Sequence, residues 1–364
     1  MSKSYTPGLK ILENTKIVKE RKLPLKGDIK CSLGDKVKNS DVVASTFLPG
    51  NIHMVNIANQ LNTDPSTIKD FVRVKIDQEV KKGDILAENN GIFGFFKTQI
   101  KSKLDGRISN ISKATGQLMI SDPDIPIEIN AHIDGKVIDI INNEGVVIES
   151  HGTLIQGIIG VGGEKTGQIV FADDEDIDCK GKIVIIKSSI DKKLYDEYLK
   201  KGAIGIICGG FHYESLSDIL GYKLGVAITG TEDIETTLIV TEGFGKVSMS
   251  DKTYNILKKY SLHTASINGA TQIRAGVIRP ELIISVERNN SNYKEFNESD
   301  LVIRKGSKVR VIRQPYFGYI GIITDLPKDP VVIESETKAR VAEVEFDGGE
   351  RKLVPRANLE IILD

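Results

Sequence analysis

The chain of 364 residues is long enough for two or three domains, and 40% hydrophobic against 27% charged residues is an ordinary globular balance. Its 49 basic and 50 acidic side chains nearly cancel, which excludes a global field drawing it to nucleic acid or to an anionic membrane. Three scattered cysteines, Cys31, Cys179 and Cys208, exclude a zinc knuckle or a disulfide framework, and the absence of Trp leaves Ile, Val and Leu to fill the cores. MSKSYTPGLK lacks the apolar centre of a signal peptide and no run reaches membrane-spanning length, so a cytoplasmic location with no membrane partner is expected.

Residues 1–24 read as a lysine-rich arm. From 25 to 171 apolar residues alternate between charged turns, the pattern of half-buried strands. Two echoes run through this stretch. Leu33-Gly34-Asp35-Lys36-Val37 with Val42-Val43-Ala44 is repeated in Lys82-Gly83-Asp84-Ile85-Leu86-Ala87, and Leu104-Asp105-Gly106-Arg107-Ile108 in Ile133-Asp134-Gly135-Lys136-Val137. Ile57 to Phe71 reads as helical, with Asp64-Pro65 starting a second turn. Gly157 to Gly167 is glycine-rich, but Glu164 separates glycine from lysine and a strand follows, so a turn or domain junction is expected rather than a phosphate loop.

The acidic run Asp173 to Asp178 marks a change of period. Gly181 to Lys187 and Ala203 to Cys208 are continuous apolar strands around an amphipathic helix at Asp191 to Lys201, a βαβ unit with a parallel sheet buried on both faces. Further strands are expected at Gly225 to Thr229, Leu238 to Thr241 and Ala275 to Ile284. Helices are expected at Ser215 to Leu220 and at Asp251 to Tyr260, the latter capped by Ser250. Residues 172–286 therefore read as a small α/β domain. Residues 287–300 are polar and asparagine-rich, a linker to a last β-unit over 301–364.

The paired echoes resemble the biotinyl/lipoyl-like barrel-sandwich hybrid. That family carries its modified lysine at a hairpin tip, but neither Met-Lys-Met nor Asp-Lys-Ala occurs here; the nearest lysine is Lys97. No biotin, lipoate or other cofactor is therefore expected. The tip is Gly91-Ile92-Phe93-Gly94-Phe95-Phe96, and Phe93, Phe95 and Phe96 are candidates for docking a partner. From Leu301 the chain resembles a KOW-type SH3-like barrel, on Lys305-Gly306, Val309-Arg310-Val311, Gly318, Gly321 and Val354-Pro355-Arg356. The resemblance implies either nucleic acid, through Arg310, Arg313, Tyr316, Phe317 and Tyr319, or a docked protein.

In the α/β domain, ligands belong at the carboxyl ends of the parallel strands. Gly209, Gly210, Gly243 and Gly245 there would let backbone amides approach an anion, with Arg274 and Arg279 supplying charge. Cys208 and His212 have the spacing of a weak nucleophile–base pair. The histidines are isolated in sequence; His132 and His151 read as strand positions, and no metal site is expected. The fold class expected is multidomain β plus α/β: hybrid, α/β domain with a mainly parallel sheet, C-terminal barrel. Three functions stay open: a non-catalytic adaptor or assembly subunit with a protein partner, a nucleic-acid-associated factor, and an enzyme or ligand-binding protein using the α/β strand ends. The oligomeric state is not legible.

Overall fold

In the computed structural model, residues 9–89, 97–174, 177–221, 234–271, 278–286, 302–311, 315–316, 319–333, 337–346 and 349–361 are described. Strands dominate, with 50% of residues against 13% in helices, distributed over several sheets.

The echoed turns fold alike, in a register that hydrogen bonds define. Asp41 accepts from the Lys38 amide and Asp84 from the Lys81 amide, each at 2.8 Å. Asp134 accepts from the Asn39 amide and Asp105 from the Lys82 amide, each at 2.7 Å. Asp41 is thus the structural partner of Asp84, whereas the sequence echo places Asp35 there. Asp35 caps a preceding turn through the Ser32 amide, as the Gln78 side chain does through the Lys75 amide. That turn needs a left-handed residue, met by Gly34 (φ 93°) in one copy and by Asp77 (φ 70°) in the other. Short polar side chains closing turns on themselves give the two halves one geometry. Each half has its own core, one around Val43, Ile133, Val137 and Ile148, the other around Ile57, Leu86, Ile108 and Leu118.

The expected helix at Ile57 to Phe71 is split. A short helix, α1 (Ile57–Leu61), ends at Asn62 in the left-handed region, and a 3-10 turn (Pro65–Asp70) follows with Asp64 accepting from the Ser66 amide. Four antiparallel strands pack beside α1 in the order Ile52–Asn56, Gln117–Ser121, Gly106–Ser112, Glu79–Val80, which leaves Ile52–Asn56 at an edge.

Among the described residues the largest sheet has eleven strands. In chain order they are β1 (Ile11–Lys22), β2 (Lys36–Val37), β3 (Gly135–Ile141), β4 (Gly145–Gln156), β5 (Ile159–Val161) and β6 (Glu164–Phe171). Then come β7 (Lys182–Ile186), β8 (Gly205–Phe211), β9 (Thr237–Phe244), β10 (Thr264–Asn268) and β11 (Glu281–Ser285). Across the sheet the order is β5-β9-β8-β7-β6-β10-β11-β4-β3-β2, with β1 paired along β4. The strands from β6 to β9 are parallel and the others antiparallel. The long strand β4 pairs with β3 through its first half and with β11 through its second. One sheet therefore takes strands from both sides of residue 172.

The parallel part is buried on both faces, as its unbroken apolar runs predict. Val170, Val184, Ile206, Cys208 and Leu238 turn to one face, under α2 (Lys192–Lys200) and α3 (Tyr213–Leu220). Ile169, Phe171, Ile183, Ile207 and Ile239 alternate to the other, under α4 (Asp251–Lys259). Asp191 caps α2 through the Leu194 amide and Ser250 caps α4 through the Thr253 amide. The expected strand Gly225 to Thr229 lies outside the described residues.

The C-terminal unit is a five-stranded antiparallel sheet of β12 (Lys308–Val311), β13 (Ile320–Asp325), β14 (Val341–Phe346), β15 (Arg351–Pro355) and β16 (Leu359–Ile361), in the order β15-β14-β13-β12-β16. The expected linker, 287–300, lies outside the described residues. No helix among them is long and apolar enough to cross a membrane.

Candidate functional site

The parallel strands β7, β8 and β9 end side by side, and the segments leaving them enclose a cleft of about 420 Å³. Ser189, Asp191, Lys193, Glu197, His212 and Lys246 line it. Asp191 is engaged as the α2 cap, and Lys201 pairs with Glu197 at 2.7 Å and holds its carboxyl below the ordinary value. His212 stands exposed at the start of α3 with no side-chain capping bond. The lining balances two lysines against two carboxylates, a surface suited to a polar molecule rather than a strong anion trap.

Cys208 and His212 are not brought together. Cys208 points into the core below α2 and α3, its thiol donates to the Gly210 carbonyl at 3.4 Å, and burial pushes its pKa far above the thiol range. A nucleophilic cysteine needs the opposite shift. Gly209 and Gly210 serve close packing, whereas Gly243 and Gly245 have open space and hold a positive φ, 131° and 104°. A Cβ on Gly209 would lie 2.2 Å from the Met249 nitrogen, and one on Gly210 would lie 2.4 Å from the Gly245 carbonyl oxygen. The segment after β9 thus crosses directly over the end of β8. The Gly209 amide donates to Ser188 and the Gly245 amide to Phe211, so both are engaged by backbone. Gly243 sits opposite Gly210 in the β8–β9 pairing with a φ of 131°. Arg274 lies outside the described residues.

The residue with the most consequential placement is Arg310. Its guanidinium is turned inward from β12 and clasps Glu242 of β9 on one side and Glu360 of β16 on the other, the latter at 2.7 Å. All three side chains are under 10% exposed. Glu242 also accepts from the Ser250 amide at 3.0 Å and Glu360 from the Leu9 amide at 3.1 Å. Burial works against the Arg310 charge, yet the two carboxylates hold its pKa above the ordinary value; burial pushes Glu360 up, against the pull of Arg310. Arg279 donates to the Ile158 carbonyl at 3.1 Å, leaves its buried Nε without a partner, and has its pKa lowered by burial with Glu360 opposing. A cluster joining the chain's beginning, its parallel sheet and its C-terminal sheet thus occupies the guanidinium that the sequence reading assigns to phosphates.

No family model matches the chain, and no curated protein matches it. The residues themselves therefore carry the functional argument.

Tyr316 and Tyr319 pack with Phe346, Tyr316 at 5.5 Å and tilted, Tyr319 at 5.5 Å and edge-on, and Tyr319 remains 54% exposed. Arg313, Phe317, Phe93, Phe95 and Phe96 lie outside the described residues. Lys97 pairs with Glu88 at 2.7 Å across the hairpin Ile85–Asn89 and Thr98–Lys101. Two features escape the sequence reading. The exposed apolar pair Ile52 and Met54 was visible as an alternation with an apolar outer face. His132, taken for a strand position, holds a left-handed backbone (φ 67°) beside a second cleft, which only the three-dimensional fold assembles.

Proposed function

We propose that the chain is a non-catalytic adaptor or assembly subunit that docks a protein partner, built from a barrel-sandwich hybrid, a small α/β domain and a C-terminal SH3-like barrel. The duplicated turn hydrogen bonds of residues 32–44 and 75–87 support the hybrid. The five-stranded antiparallel sheet with a 3-10 turn (Arg356–Asn358) before its last strand supports the barrel.

The observation that carries the docking reading is the edge strand Ile52–Asn56. Ile52 and Met54 are 58% and 65% exposed on one face of it, and Met54 is paired with the half-buried Met119. The strand's other side has no partner strand among the described residues. An unpaired edge with adjacent apolar side chains is suited to an added extended segment, with main-chain bonds supplying affinity and side chains specificity. Methionine adapts its shape to such a partner. Burying two such side chains contributes roughly 1.5–3 kcal/mol each, so their loss should weaken association by about tenfold or more.

The test compares tagged wild-type protein with an Ile52→Asp, Met54→Asp variant, both purified from the native cell and quantified by mass spectrometry. A stoichiometric partner should accompany the wild type and be depleted from the variant at an unchanged melting temperature. Equal recovery of the same partner with both proteins rules this edge out.

A second reading, a ligand-binding protein, draws on the 420 Å³ cleft at the strand ends with His212 on its rim. Nuclear magnetic resonance shifts of His212 on titration with metabolite mixtures test it.

A further inference from the structure

A second cleft, of about 670 Å³, opens where β1 and β6 meet Asn39, Ser40 and the end of the strand Ile125–Asn130. Arg21, His132 and Glu164 form one wall, and Asn39, Ser40, Asn130 and Thr166 contribute to the rest. Three properties separate it from an ordinary crevice.

The first is the backbone of His132. Its φ of 67° lies in the left-handed region, which costs an L residue roughly 1–2 kcal/mol. The conformation is held from both sides: the His132 amide donates to the Asn39 carbonyl at 2.9 Å, and Ser266 Oγ donates to the His132 carbonyl. Histidine is among the side chains that tolerate this region, and the two hydrogen bonds fix the direction in which the imidazole leaves the backbone.

The second is an unsatisfied ring. His132 is only 5% exposed, and its Nε2 is buried without a partner. Nδ1 faces Glu164 Oε2 at 3.8 Å, too far for a direct hydrogen bond, so that a hydroxyl lying to one side of the pair, on the cleft side, can reach both. Burial lowers the imidazole pKa, against Glu164 and Glu281, with Arg21 and Lys19 adding to the lowering, so the ring is neutral near pH 7 and keeps one donor and one acceptor.

The third is charge balance on a fixed frame. Arg21 holds Glu164 through two bonds of 2.6 and 2.7 Å and donates to the Asn130 carbonyl at 2.8 Å. Lys22 pairs with Glu20 at 2.9 Å. The remaining lining charges, Lys165 and Glu128, cancel. What faces the space is an array without net charge: amides, hydroxyls, an imidazole, compensated charges and the apolar Ile129 and Ile204. That array has no excess charge with which to select an anion or a cation.

We propose that this cleft binds a small neutral polyhydroxylated molecule, of the monosaccharide or cyclitol class, with one hydroxyl bridging His132 Nδ1 and Glu164. The Arg21–Glu164 pair is a rigid wall that orients the carboxylate, and Asn39, Ser40, Asn130 and Thr166 are positioned for the remaining hydroxyls. This site is separate from the edge strand Ile52–Asn56 and does not depend on the docking reading.

The experiment is saturation-transfer nuclear magnetic resonance on the full chain with ribose, glucose, galactose and myo-inositol, followed by calorimetric titration of any binder. At least one probe should bind saturably at one site, and both Glu164→Gln and Thr166→Val should weaken it by about tenfold. His132→Asn, which tolerates the left-handed backbone, should do the same at an unchanged melting temperature. Saturable binding of none of the four probes overturns the proposal. So does a bound probe whose affinity is unaltered in Glu164→Gln, or tighter binding of ribose 5-phosphate through its charge alone, shown by equal affinity for inorganic phosphate.

Discussion

At the scale of single residues, Glu88 shows how local partners set an ionisation. Lys97, then Gln99 and Arg73, hold its carboxyl down from the ordinary 4.5 to about 2. A carboxylate with a depressed folded pKa stabilises the fold fully above its unfolded value and loses that contribution as pH falls through the folded one. Glu88→Gln should therefore lower the melting temperature at pH 7 and lower it far less at pH 2, where the folded carboxyl is half protonated. A carboxyl titration followed by nuclear magnetic resonance should find the midpoint near 2, and a midpoint near 4.5 would remove Lys97 as a partner. Because the same lysine is the nearest to the position that biotinyl and lipoyl domains modify, in the resemblance read from the sequence, its ion pair also bears on covalent chemistry. Intact mass of protein from its native host should show no biotinyl or lipoyl increment at Lys97.

At the scale of elements, the parallel strands and their helices were legible because each is specified by neighbours in sequence. Unbroken apolar runs gave β7, β8 and β9 both buried faces, and Asp191 and Ser250 announced the helices they cap. The duplicated turns were legible as an echo, but their register was not. Asp35 and Asp41 both close turns with the same local chemistry, and only cross-strand partners such as Asp134 distinguish them. The glycines at the strand ends were legible as glycines but not in their role, since a close backbone crossing, as at Gly209 and Gly210, and an anion cradle demand the same absence of Cβ. Gly209→Ala tests that distinction. It should destabilise the chain by about 1–3 kcal/mol through the clash with Met249, as overpacking does. Ser250→Ala should cost about 1 kcal/mol through the lost α4 cap. Equilibrium urea unfolding measures both; a neutral Gly209→Ala would reopen the strand ends to an anion.

At the scale of the whole molecule, the serial reading of three units misses how they are joined, for a physical reason. Arg310 and Glu242 are 68 residues apart, and Arg21 and Glu164 are 143 apart. No local pattern marks a charge that will be buried against a distant one. The same distance hid the His132 cleft, whose walls come from β1, Asn39 and Ser40, the strand Ile125–Asn130 and β6. The clasp of Arg310 matters for the proposed docking function because it holds the C-terminal sheet to the parallel sheet, so that surfaces on different units keep a fixed relation. Removing one member of a buried ion cluster leaves the others uncompensated and costs roughly 3–5 kcal/mol, while replacing all members with neutral groups is far milder. Scanning calorimetry of the full chain, wild type against Arg310→Met, measures this coupling directly. The wild type should unfold with the C-terminal sheet inside its main transition. Arg310→Met should split off an earlier one, which Arg310→Met with Glu242→Gln and Glu360→Gln largely restores to the main peak. An Arg310→Met profile superimposable on the wild type would contradict the rigid junction and the scaffold built on it.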